Sequence, residues 1–332
     1  MKRLLALTLM SAFCMVQMNA ENPNIGTAGA QFLKIPGGAR AAAMSCAFVS
    51  NANDVSSLFW NPAGIVNVKS TGLSFSHTTW WATIQLNQAA IVQSFEDVGS
   101  IGISISALSM DKMEVTTEEM PEGTGATFDA TDLMVGLSYS RKLTDAFSVG
   151  VTAKYVQQRI WNESASGVAF DIGTQYRIGF RDLTIGMSMT NFGGDLTYDG
   201  RDLDVKYDSD PRNAGERLVP ASLAPDAYPL PLHFQVGLSI SPYTSEDFSV
   251  LVAADVAHPN DNKERVNVGV ECSLFGQFFL RGGYRFGYDI EKASVGAGVA
   301  LSLGSLGLSV DYAYAVYDLL PNISWLSVGM TF

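Results

Sequence analysis

Basic side chains, histidine and cysteine are all scarce in this chain of 332 residues. Only 21 lysines and arginines stand against 33 aspartates and glutamates, a balance that repels polyphosphates and argues against nucleic acid as a partner. His77, His233 and His258 are scattered, and no Cys/His group has metal-ligand spacing. No Gly-x-Ser-x-Gly nucleophile elbow occurs. Glycine-rich stretches such as Gly296-Ala297-Gly298 lie within strand-like alternation, not between a strand and a helix where a phosphate cradle forms. The sequence therefore points away from an enzyme and gives no metal and no cofactor site. Beyond residue 20 no run of 18 apolar residues remains, which excludes helical membrane spans.

Alternation is what the chain has in abundance. Ile101, Ile103 and Ile105 alternate with Gly102, Ser104 and Ser106, and Phe147, Val149 and Val151 with Ser148, Gly150 and Thr152. Phe234, Val236, Leu238 and Ile240 repeat the pattern against Gln235, Gly237 and Ser239. A soluble sandwich would carry many charges on its second face; here that face is mostly Gly, Ser and Ala, which suits lipid outside and a crowded lumen inside. The 31 glycines fit a barrel, which tolerates glycine where strands bend or another backbone approaches.

From Ser70 onward the pattern predicts about fourteen strands, at 70–80, 83–95, 98–110, 126–142, 146–162, 164–180, 183–193, 231–242, 246–258, 263–275, 277–289, 291–303, 305–319 and 322–332. Connections alternate between short turns such as Glu96-Asp97 and long loops such as Gly194 to Leu230, with only the first long-side connection, at Trp80-Trp81, tight. That asymmetry is the mark of a transmembrane antiparallel β-barrel with short periplasmic turns and longer extracellular loops. Trp80, Trp81, Trp161, Tyr288 and Tyr317 fall at the extracellular strand ends and Tyr176, Phe180, Tyr243 and Phe248 at the periplasmic ones, suggesting two interfacial girdles. The last strand ends on Phe332, the expected recognition signal for the barrel insertion machinery, with outer-membrane lipid around it.

Lys2 and Arg3, the apolar stretch Leu4 to Val16 and the polar Gln17-Met18-Asn19-Ala20 predict an export leader over residues 1–20. Cys14 leaves with it, and Cys46 and Cys272 then either pair or remain buried free thiols. Residues 21–69 do not alternate and are rich in Gly and Ala; a segment of this size fits the lumen of a barrel spanning 70–332, as a plug or hatch. Its Asn61-Pro62-Ala63-Gly64 run has tight-turn chemistry and is the expected lock between plug and wall, with gating as the other role open to it. By parity Asp171, Asp255, Glu271, Arg281, Arg285 and Asp311 point inward, and Arg40 on the plug is a cationic partner for them, giving an ion-pair network across the lumen. The long loop carries Asp195, Asp199, Asp202, Asp204, Asp208 and Asp210 followed by prolines, a solvated acidic surface suited to partner contact.

Several ordered motifs resemble the PorV/PorQ family. They are Gly37-Gly38-Ala39-Arg40-Ala41-Ala42-Ala43-Met44, Leu58-Phe59-Trp60-Asn61-Pro62-Ala63-Gly64, Gly167-Val168-Ala169-Phe170-Asp171-Ile172-Gly173, Leu280-Arg281-Gly282-Gly283-Tyr284-Arg285 and Val310-Asp311-Tyr312-Ala313-Tyr314. The Asn-Pro-Ala core is shared with FadL-like barrels, whose fold of 14 strands with an N-terminal hatch this family resembles. The resemblance implies a Gram-negative outer-membrane protein of the type IX secretion system, binding exported cargo and meeting translocon or attachment proteins. The alternative it leaves open is a FadL-like transporter of hydrophobic small molecules.

Overall fold

The computed structural model describes residues 24–208 and 218–332; the leader expected over residues 1–20 lies outside the described residues, as does Asp210 of the acidic loop. Fourteen long strands form one closed antiparallel sheet. They are β1 (Thr71–Thr79), β2 (Gln85–Phe95), β3 (Gly99–Ser109), β4 (Ala130–Lys142), β5 (Phe147–Ile160), β6 (Glu163–Ile178), β7 (Leu183–Gly193), β8 (His233–Thr244), β9 (Phe248–Pro259), β10 (Arg265–Leu274), β11 (Phe278–Phe286), β12 (Glu291–Leu303), β13 (Leu306–Tyr317) and β14 (Ile323–Thr331). Each strand pairs with its neighbours in sequence, and β1 closes the ring on β14 with Phe75 opposite Val328 and Ser76 opposite Ser327. Closure removes every sheet edge, the condition for placing strands in lipid.

Burial along each strand is inverted relative to a soluble sheet. Ile101, Ile103 and Ile105 are 41%, 45% and 42% exposed, whereas Ser100, Ser104 and Ser106 on the opposite face are 1%, 0% and 3% exposed. Large apolar residues so placed around the whole wall need an apolar solvent, and the bilayer supplies it.

Six of the connections are short turns at one end of the barrel, and longer ones gather at the other. Two details depart from the sequence reading. The tight long-side connection is Trp161-Asn162 between β5 and β6, where Trp161 adopts φ 50° and Ile160 stays in register with Glu163. The Trp80 connection is instead a five-residue loop containing a short 3-10 turn, Trp81–Thr83. In the loop from Gly194 to Leu232, Asp195, Asp199, Asp202 and Asp204 are exposed. Leu196 is fully buried and bridges Tyr228, while the hairpin of Asp204–Asp208 paired with Leu218–Ser222 is largely exposed.

Candidate functional site in the barrel lumen

The segment preceding β1 folds into short turns of helix at Gln31–Lys34, Ala39–Ala43, Val55–Phe59 and Pro62–Asn67. Small residues let these turns approach the wall closely. Ala39, Ala41 and Ala43 are fully buried, and Ala43 lies against Gly296 of β12. A Cβ on Gly150 of β5 would lie 2.4 Å from Ala63 N, on Gly186 of β7 2.4 Å from Val49 O, and on Gly283 of β11 2.5 Å from the carbonyl carbon of Met44. A segment that touches strands on all sides of a closed ring lies within it. Gly26 N donates to Asp261 O in the β9–β10 loop, while Val68 packs beside Gly72 of β1, so the chain runs from the long-loop end of the lumen to the short-turn end.

Asn61 is fully buried and uses its whole amide. Its Oδ1 accepts from Ala63 N at 3.1 Å, capping the turn that Pro62 begins, and its Nδ2 donates to Val49 O at 2.8 Å and to Thr174 O of β6 at 3.1 Å. One side chain thus ties the turn, the preceding loop and the wall together. Pro62 and Ala63 lie against Gly150, and Gly64 against Ala52, where a Cβ would meet the carbonyl oxygen at 2.2 Å.

The inward-facing charges fall into separate groups. Arg40 grips Glu271 with two hydrogen bonds, Nε to Oε2 at 2.9 Å and Nη2 to Oε1 at 3.0 Å, and reaches Asp54 through Nη1 at 2.7 Å. Arg281 joins Glu271 and Asp311, the latter at 2.6 Å. These five side chains form one chain of charge from β13 through β11 and β10 to the lumen segment. Arg285 stands apart from them: it pairs with Glu291 of β12 and donates to Cys46 Sγ at 2.6 Å and Ser45 O at 3.3 Å.

Asp255 and Asp171 are not members of that network. Asp255 Oδ2 accepts from the backbone N–H groups of Phe48 and Val49 at 2.7 and 2.9 Å and from Gln235 Nε2 at 2.9 Å, so its partners are peptide groups and an amide, not an arginine. Asp171 pairs with Lys154 of β5 at 2.6 Å and accepts from Asn191 N at 2.8 Å, at a bulge where β7 slips in register against β6. The sequence reading missed Lys154, Glu291 and Gln235. Parity places Lys154 and Gln235 inward, and this is the signal that identifies them; Glu291 starts its strand beside a second bulge, where parity fails.

The aromatic residues at the long-loop end also divide. Trp161 is exposed, whereas Tyr317 is buried and Trp80 and Trp81 are half-buried, so these three are not part of a lipid-facing girdle. Trp81 stacks edge-on against Tyr317 at 5.0 Å and Trp80 against buried Trp325 at 6.3 Å, and the group packs on Ala39, Ala42 and Ala43. Tyr288 lies beneath the guanidinium groups of Arg265 and Arg285, at 4.1 and 5.0 Å from its ring centre. Tyr176, Phe180 and Tyr243 at the other end are exposed. Phe332 is half exposed, and its N–H donates to Thr71 O at 2.9 Å. Cys46 and Cys272 are free thiols, the first buried and the second half-buried.

Above the lumen segment and under the long loops is a cavity of about 1030 Å³. Its floor is the stretch 26–37 with Phe59 and Trp60, and its roof includes Tyr198 and Tyr228 of the long loop. Lys34 pairs with Asp261 at 2.8 Å at its rim.

The closed antiparallel ring with its lipid-ready outer face defines an outer-membrane β-barrel of fourteen strands. Residues 17–201 match the family described as type IX secretion system protein PorV, and the chain belongs to that family. A comparison by sequence with curated proteins gives no match. Among solved structures, the chain is similar to the CymD monoaromatic hydrocarbon channel at 12% identity and TM-score 0.56, covering 89% of this chain and 97% of that one. It is similar to the Ralstonia pickettii toluene transporter TbuX at 14% identity and TM-score 0.56, covering 88% and 96%. A Pseudomonas aeruginosa FadL homologue aligns at 13% identity and TM-score 0.52, covering 89% and 97%. At such identities these likenesses establish a shared FadL-like fold.

Proposed function

We propose that the protein is a non-catalytic component of the type IX secretion system in the outer membrane of a Gram-negative bacterium. It binds exported proteins at its long-loop end and passes them to translocon or surface-attachment partners. Membership of the PorV family is the observation that carries this reading. The lumen supports it: most of residues 39–65 are buried, and several hydrogen-bond to strands around the ring, as suits a plug that stays in place while the barrel serves as a docking body. The outer hairpin supports it too, since Val205, Tyr207, Leu218 and Val219 are exposed there amid acidic side chains, a surface on which a partner would bury apolar area. Insertion of the barrel by its assembly machinery would engage the closing strand that ends at Phe332.

The test is affinity purification from native outer membranes followed by mass spectrometry, with the intact chain and with residues 195–230 trimmed. Translocon or cargo proteins should accompany the intact chain and be lost on trimming. A second reading, passage of hydrophobic small molecules, is favoured by the cavity under the loops and by the solutes named for the fold neighbours. Recovery of the barrel alone, with impaired uptake of aromatics in a deletion strain, would replace the first reading by the second.

A further inference from the structure

One stretch of the outer wall breaks the apolar pattern. The outward positions of β1 run Phe75, His77, Thr79 and those of β2 Gln85, Asn87, Ala89, because Ser76, Thr78, Leu86 and Gln88 between them are buried on the lumen side. His77 and Asn87 stand opposite each other, and His77 Nδ1 donates to Asn87 Oδ1 at 2.8 Å. Strand β1 has nine residues, the least that crosses the hydrocarbon when tilted, so His77, two residues before its end, stands at the margin of the acyl chains. His77 Nε2 and Asn87 Nδ2 make no further hydrogen bond among the described residues, and lipid tails offer none.

The rest of this face fits a protein neighbour. Trp80 and Trp81, which join β1 to β2, pack inward on Trp325 and Tyr317, so they do not shield the pair from outside. Strands β14, β1 and β2 contain no Asp, Glu, Lys or Arg. Beside Asn87 the outward residues are small, Ala89 on β2 and Ala107 on β3, the latter directly opposite Asn87. The connections above the face, over 80–84 and 318–322, are short, so no tall loop blocks lateral approach.

We propose that β14, β1 and β2 form the contact between two copies of this chain lying side by side in the membrane, related by a two-fold axis along its normal. Such an axis sets a patch against itself and would bring like charges together; this face has none. The groups left over complement each other across the axis, with Asn87 Nδ2 of one copy a donor and His77 Nε2 of the other an acceptor, in both directions. Ala89 and Ala107 let the two walls approach closely, as small residues do between membrane-spanning segments. The contact uses wall strands and not the long loop, so it is independent of any cargo role.

Cross-linking in native outer membranes tests this pairing. Cys272 shares the outward parity of Val270, so all variants carry Cys272→Ser. In that background Ala89→Cys should give a dimer with a short bis-maleimide, and Leu238→Cys, exposed on β8 across the barrel, should give none. His77→Leu and Asn87→Leu, added together to Ala89→Cys, should abolish most of the dimer band while heat-modifiability on gels is kept, since apolar side chains suit the lipid-facing wall. No dimer from Ala89→Cys, or a dimer band that survives the double substitution, would overturn the proposal. A cross-link from Ala89→Cys to a different protein would overturn it too and assign the face to that protein.

Discussion

Arg40 in the lumen and Glu271 in the wall meet fork to fork, with both hydrogen bonds at 3.0 Å or less. Removing Arg40 leaves Glu271 to Arg281 alone and takes away the arginine that Asp54 meets, a loss of charge-assisted hydrogen bonds worth about 1.5–3 kcal/mol each. Arg40→Ala should therefore loosen the lumen segment while the barrel persists. Planar-bilayer recordings should show a rise in conductance over the intact protein.

The glycines facing the segment give a sharper steric test. A Cβ on Gly173 would lie 2.0 Å from Asn61 Oδ1, whereas one on Gly179 meets nothing within 4 Å. Gly173→Ala should lower the unfolding transition by about 1–3 kcal/mol, the usual cost of overpacking, and Gly179→Ala should leave it unchanged within error. Heat-modifiability of the barrel on gels reads both.

Asn61 acts as cap acceptor and as double donor, and substitution separates the two. Asn61→Asp keeps the oxygen that caps Ala63 but turns a carboxylate oxygen toward the carbonyls of Val49 and Thr174. It should destabilise the fold at least as much as Asn61→Ala, because a buried unpaired charge costs more than an absent hydrogen bond. Thermal unfolding of the two variants side by side gives the order.

Acid should release the start of the lumen segment. Burial pushes the Asp261 carboxyl up, but hydrogen bonds from Lys34 and Gln31 outweigh it and hold the group below the ordinary aspartate range. A depressed carboxyl contributes stability that is complete above its unfolded value of about 3.9 and is lost as pH falls through the folded one. A spin label at Thr27→Cys should be restrained at neutral pH and mobile in acid, and Asp261→Asn should make it mobile at both.

The barrel was legible in the sequence because period-2 alternation survives in every wall strand, and small residues on the inner face announced a crowded lumen. The site was legible where one charge meets another on strands of known parity, as for Arg281 and Asp311. It was not legible for Asp255, whose partners are peptide N–H groups of Phe48 and Val49, since sequence carries no mark of which backbone comes near. Trp80 and Tyr317 were misread because they sit at loop ends, where alternation no longer fixes which side of the wall a ring takes.

The most direct test of the account is the exported proteome of a strain lacking this chain, measured by quantitative mass spectrometry of surface and medium fractions. Loss or mislocalisation of type IX substrates, restored by the full chain and not by a chain trimmed over residues 195–230, is the predicted result. An unchanged exported proteome in the deletion strain would contradict it.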